Sequence, residues 1–297
     1  MNSIFPAELA RHLAESVHEA RRRYRKRLAR CQKRFSESAV HELRIETRRM
    51  LALLDLLEGL HFPELLKKLR KTFKKRLDAF DDLRDTHVQL ELLKPLWSDF
   101  PEAGDLKKCL RKCEKRLVPK LSSKVRTTKN GRLNRQLKQV EKALRECGKT
   151  SAAARTNSLE QTFLASAFRR VLALRRRIRR NQPGTIHRMR VAFKRFRYMA
   201  ELLQPFVPQF TPERLARMKD FQGAAGNIQD LAVLLARLDN YVKTGNLPLR
   251  DVRNLRTELL RQERRAIDSF MARIGELAKF EPKHSIPFAP GAETASK

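Results

Sequence analysis

Glycine is scarce in this chain, ten in 297 residues, and no stretch alternates apolar and polar residues as a strand would. Both absences argue against a β-rich fold with its frequent tight turns. Tryptophan occurs once and tyrosine three times, too few for a surface that stacks nucleobases on aromatic rings. The four cysteines, Cys31, Cys109, Cys113 and Cys147, form no Cys-x-x-Cys pair and no close Cys/His cluster. Neither a zinc module nor a disulfide framework is indicated, and buried, reduced thiols in a reducing compartment are expected. No window holds the roughly 18 apolar residues of a membrane span. The first residues, MNSIFPAELARHLAE, lack the basic stretch and apolar run of a secretory leader. A cytoplasmic location without membrane insertion is the expectation. Acid is also short: 33 Asp and Glu stand against 66 Lys and Arg, a formal net charge of +33. An excess of that size opposes compaction unless a polyanion neutralises it, whether nucleic acid, an anionic membrane or a phosphate polymer.

What is present is helical patterning. Leu9, Leu13, Val17, Ala20, Tyr24, Leu28, Cys31 and Phe35 recur at three and four and share one stripe. Breaks fall at SES (36–38), HFP (61–63), FPEAG (100–104), KNG (129–131), NQPGT (181–185), VPQFTPE (207–213) and TGNLP (244–248), which predicts eight or nine helices. Thr211-Pro212-Glu213 has the form of a helix start: a capping hydroxyl, proline at the first position and an early acid.

The chain also repeats itself. VHELRIETRR (40–49) and IHRMRVAFKR (186–195) align when His41 is set on His187, 146 residues on. Arg44 then meets Arg190, Arg48 meets Lys194, Arg49 meets Arg195, and Leu56-Leu57 meet Leu202-Leu203. With one residue of slippage, LRDTHVQLELL (83–93) lies over IQDLAVLLARL (228–238), and Asp85 meets Asp230. Two related halves of about four helices each follow, about 5–147 and 157–280, joined through GKTSAAARTN (148–157). An all-α fold of two four-helix bundles related by a pseudo-two-fold is predicted. Residues 281–297 read as a disordered tail.

At about 100° per residue, Arg44 and Arg48 lie within roughly 60° of His41 on one side and Arg49 roughly 80° away on the other, while Leu43, Met50, Leu54 and Leu57 occupy the opposite face. In the second copy His187, Arg190, Lys194, Arg197 and Tyr198 share the basic side, and Met189, Phe193, Phe196, Ala200 and Leu203 the apolar one. Glutamate would serve solubility equally well, yet both copies place cations at the same positions around a histidine. Guanidinium and ammonium groups are natural ligands of phosphate oxygens, and a histidine beside them gains charge when a polyanion raises its pKa.

SESAVHELRIETRR and GTIHRMRVAFKRFRYMAELL resemble the two signature helices of the CHAD family, the conserved histidine α-helical domain, and LRD (83–85) and IQD (228–230) resemble the motifs that follow them. The resemblance spans about residues 5–280. It implies one domain of two helical bundles with a basic central groove or pore that binds long-chain inorganic polyphosphate, often at polyphosphate granules. It also implies that His41, Arg44, Arg48, Arg49, His187, Arg190, Lys194, Arg195, Arg197 and Tyr198 line the groove. Asp85 and Asp230 are expected to orient the basic groups. One departure is Leu51, where the family commonly carries arginine and where the second copy keeps Arg197.

Rival chemistries find less support. Asp78, Asp81, Asp82 and Asp85 suggest one acidic helix face of metal-site shape with His87 nearby. The first three, however, meet Gly223, Gly226 and Asn227 in the second copy, and pairing with arginines is expected instead of a metal. GKTS (148–151) lacks the leading glycine and preceding strand of a phosphate loop. No cofactor and no catalytic role are expected. Non-specific binding of DNA or RNA is the alternative function, because the same charge would grip any phosphate backbone. The runs RRRYRKR (21–27) and RRRIRR (175–180) widen the positive field.

Overall fold

The computed structural model describes residues 7–57, 63–150, 159–245 and 248–282, and all regular structure among them is helical. Ten α-helices run in order: α1 (Ala7–Lys33), α2 (Glu37–Leu57), α3 (Pro63–Asp78), α4 (Asp81–Leu93), α5 (Glu102–Arg126), α6 (Gly131–Thr150), α7 (Leu159–Arg175), α8 (Pro183–Leu203), α9 (Pro212–Lys243) and α10 (Leu249–Ala272). A short 3-10 segment, Ile274–Phe280, follows α10.

The helix starts have local causes. Ser36 Oγ accepts from Ala39 N (3.3 Å) as α2 begins. Thr185 Oγ1, inside the first turn of α8, accepts from Arg179 N (2.9 Å) and so ties the preceding loop to that helix. Thr211 caps α9 by accepting from Arg214 N (3.3 Å), with Pro212 at the first helical position. Thr211→Ala should therefore lower stability by about 1 kcal/mol, read as a shifted denaturant midpoint at unchanged slope.

The tenth helix comes from a break that the sequence does not mark. At Ala79–Phe80, with neither glycine nor proline, the chain turns between α3 and α4. Phe80 goes into the core at 6% exposure, and Arg44 Nη1 donates to Leu77 O (3.1 Å) at the end of α3. The matching stretch of the second half holds Gly223 and Gly226, yet α9 runs through them unbroken. Tertiary contacts override local propensity in both copies. Counting α3 and α4 as one broken helix, α1, α2, α3–α4 and α5 correspond in order to α7, α8, α9 and α10, and α6 is an addition packed on α1. The join expected at 148–157 begins later, since α6 continues to Thr150; residues 151–158 lie outside the described residues, as do 283–297 of the expected disordered tail.

Two apolar interiors hold the molecule together. The larger runs without interruption from α1, α2, α3, α6 and the end of α5 into α7, α8, the first half of α9 and the 3-10 segment. Its second-half portion is phenylalanine-rich: Phe193 meets Phe221 at 5.1 Å and Phe280 at 5.6 Å between ring centroids. The smaller interior joins α4, the start of α5, the second half of α9 and α10 through leucines such as Leu93, Leu106, Leu234 and Leu255. Each half therefore completes its core with the other. That arrangement packs α2 against α8 and α4 against α9, which sets the two basic helices side by side. Cys31 and Cys113 are buried, Cys109 and Cys147 half-buried, and no disulfide joins any of the four; burial pushes the Cys31 thiol up to about 11.

Candidate functional site

Where α2, α8, α4 and α9 come together, the two stripes merge into one charged cluster. Lys194 is its centre. Burial, together with Arg48, Arg190, Arg197 and Arg44, lowers its ammonium pKa to about 7. Burial lowers Arg48 as well, with Arg44 and Arg190 adding to the effect and Tyr198 and Asp81 opposing it. His41 and His187 lie below the usual histidine range, first through burial, then through Arg84, Arg48 and Arg44 for His41 and through Arg190, Lys194 and Arg188 for His187. Cations from two helices have thus been drawn partly out of water beside one another. Their mutual repulsion is a cost that an incoming anion relieves.

The buried donors tell the same story. Arg44 Nε, Arg190 Nε and His187 Nδ1 are buried without a hydrogen-bond partner among the described residues. Arg44 is otherwise occupied: besides Leu77 O, its Nη2 donates to Asp81 Oδ1 at 2.9 Å. Arg190 lies against Gly226, where an added Cβ would come within 3.1 Å of Nη2. Arg197 is buried and engaged with Gln222 Oε1 (3.1 Å), with Glu201 and with the face of Tyr198 at 4.4 Å.

Asp85 and Asp230 face this cluster from α4 and α9. Burial raises both carboxyls; Arg44 and Arg237 pull Asp85 back, and Arg190, Arg84, Lys194 and Arg48 pull Asp230 back. Each acid is shared among several cations. Arg84 and Arg237 belong to the cluster and were not among the residues expected from the sequence. Opposite them in the repeat stand Gln229 and Leu92, so a search for matched cations passes over both, although Arg84 lies inside the LRD motif itself.

Two residues of the expected set sit elsewhere. Arg49 is exposed, pairs with Glu46 (3.0 Å) and borders a cleft of about 490 Å³ between α1, α2 and α8. Glu15, Glu19 and Glu201 also line that cleft and would repel a polyanion. Arg195 pairs with Asp55 (3.2 Å), which Arg70 also reaches. Tyr198 touches both regions, because it lines the cleft and is electrostatically within reach of Arg48 and Arg190. The single acidic helix face expected at Asp78, Asp81, Asp82 and Asp85 is divided by the turn at Ala79–Phe80: Asp78 ends α3 and pairs with Lys74 (2.9 Å), and Asp81 opens α4 on Arg44. His87 is buried against Glu114 (3.2 Å). Among the described residues, the side chains whose ligand atoms converge as a metal site would require are Glu15, His18 and Glu19 on α1, and these are engaged with Arg145, Glu141 and Arg22. Leu51, where the family commonly has arginine, packs half-buried on the core.

The model of the CHAD domain matches residues 15–239 and, in a second match, 163–274. The chain belongs to the CHAD family. A CHAD domain solved by crystallography, from the plant Ricinus communis, superposes with a TM-score of 0.67 at 15% identity, covering 96% of each chain. At that identity the likeness concerns the fold, and it supports the all-α CHAD architecture. No curated protein matched the chain. Among the described residues no helix is long and apolar enough to cross a membrane.

Proposed function

We propose that this CHAD protein binds long-chain inorganic polyphosphate, without catalysis, at the cluster between α2 and α8, in the cytoplasm and in association with polyphosphate granules. One observation carries the reading: Lys194, Arg48, Arg190 and Arg44 are crowded and desolvated while buried donors beside them lack partners among the described residues. Phosphate oxygens supply both the missing acceptors and the missing charge. The large phenylalanines lie in the core, which leaves little aromatic surface for bases and favours a polyanion without them. His41, Arg48, His187, Arg190 and Lys194 are the proposed contacts, and Asp85 and Asp230 hold the cations in place.

The test is competition near physiological salt. Labelled long-chain polyphosphate is challenged with duplex DNA and single-stranded RNA at equal phosphate concentration. Polyphosphate should win by tenfold or more, about 1.4 kcal/mol, and the margin should shrink in His41→Ala/His187→Ala. Equal competition, indifferent to the histidines, would make the +33 charge a general polyanion surface and the protein a non-specific nucleic-acid binder.

A further inference from the structure

The repeat places the same arginine in both halves, yet the two are held differently. Arg44 is bonded directly to a carboxylate: Asp81 Oδ1 sits 2.9 Å from Nη2, with the Arg44 side chain 4% exposed and Asp81 52% exposed. The residue that meets Asp81 in the second half is Gly226, and there the guanidinium of Arg190 lies against bare helix backbone, its Nε without a partner among the described residues. The acids the halves share, Asp85 and Asp230, do not explain the difference, because each has its counterpart. What differs is Asp81 against Gly226.

We propose that the two halves hold a polyanion unequally: α8 presents Arg190 directly, whereas Asp81 withholds Arg44, so this one carboxylate sets how much of the first half's charge the ligand meets. The proposal rests on the anion-binding reading above. Asp81 occupies the place on Arg44 that a phosphate oxygen would take, and as an exposed first residue of α4 it can be displaced by a ligand of higher charge density. An ionised carboxylate on a guanidinium leaves little net charge for a third party. Bare backbone beside Arg190 adds no carboxylate beyond the shared Asp230 and gives the planar group room.

The experiment exchanges the two residues' roles and measures affinity for long-chain polyphosphate across a salt series. Asp81→Asn keeps an oxygen acceptor for Arg44 Nη2 and removes the charge; Asp81→Gly copies the second half. Both should tighten binding about three- to tenfold. They should also steepen its salt dependence beyond that of Glu146→Gln, an equal charge change at an exposed position of α6, because an additional cation now engages the ligand. The gain should vanish in Asp81→Asn/Arg44→Met. Gly226→Asp should weaken binding about tenfold or more, against a smaller loss for Lys142→Gln, the matched control. Far-ultraviolet circular dichroism melts verify folding, and since Gly226→Asp and Asp81→Asn disturb opposite halves, one readable variant suffices. The proposal fails if wild type binds polyphosphate and the Asp81 and Gly226 variants only match their charge controls. If wild type does not bind polyphosphate, it is the proposed function that falls.

Discussion

Arg190→Met/Lys194→Met should lower affinity for long-chain polyphosphate at least about a hundredfold, and the free protein should become more stable, not less. The affinity loss follows from two charge-assisted contacts worth about 1.5–3 kcal/mol each, so that about 3 kcal/mol is the lower bound. The stability gain follows from the crowding that makes the site. Lys194 has a folded pKa of about 7 against the ordinary lysine value of 10.5. Between those values the unfolded chain binds the proton and the folded chain does not, so stability falls as pH drops from about 10.5 to about 7 and then levels off. The penalty is on the order of a few kcal/mol, and methionine removes it while filling the same space. Thermal melts at pH 7 should put the variant above wild type, with the difference closing towards pH 10.5. An affinity loss below tenfold would move the binding site away from α8. A variant that melts lower would show that Lys194 is stabilising where it lies.

The second large effect is on pH. A bound polyanion raises the pKa of every cation it touches, so the free protein takes up protons on binding. Lys194 titrates first, from about 7 upwards, so affinity should fall as pH rises above 7, by up to tenfold per unit, until the bound-state pKa is passed. The groups facing it include the guanidiniums of Arg48, Arg190, Arg197 and Arg44, with Asp230 and His187 also within its field. His41 and His187, already held below the usual histidine range by burial and by neighbouring cations, add a further rise in affinity below about pH 6.5. The histidine step expected from the sequence is therefore preceded, at higher pH, by a lysine step. Titration calorimetry from pH 6 to 9 in two buffers of different ionisation enthalpy measures the proton uptake directly. Wild type should show it above pH 7 and Lys194→Met should not; equal slopes for the two would remove Lys194 from the site.

Much of this protein was written locally. Apolar periodicity and caps such as Thr211 place the helices because hydrogen bonds and capping act within a turn. The duplication, visible as His41 over His187 and Asp85 over Asp230, identifies α2 and α8 as the helices of interest, and the sequence motifs point to the CHAD family. The +33 charge is legible without any structure, since net charge does not depend on fold.

Tertiary structure decided the rest. Helical periodicity gives a residue's direction but not its neighbour, so Arg49 and Arg195, in register with the stripe, end up paired with Glu46 and Asp55, while Arg84 and Arg237, unmatched in the repeat, arrive at the cluster from α4 and α9. The turn at Ala79–Phe80 has no local signal because its cause is long-range: a phenylalanine sinking into the core and Arg44 reaching Leu77 O. Lys194 reads as an ordinary lysine, and only the cations brought within its field, together with the water excluded around it, lower its pKa to about 7. Residue types fix which charges a chain carries; packing fixes which of them are left without a partner.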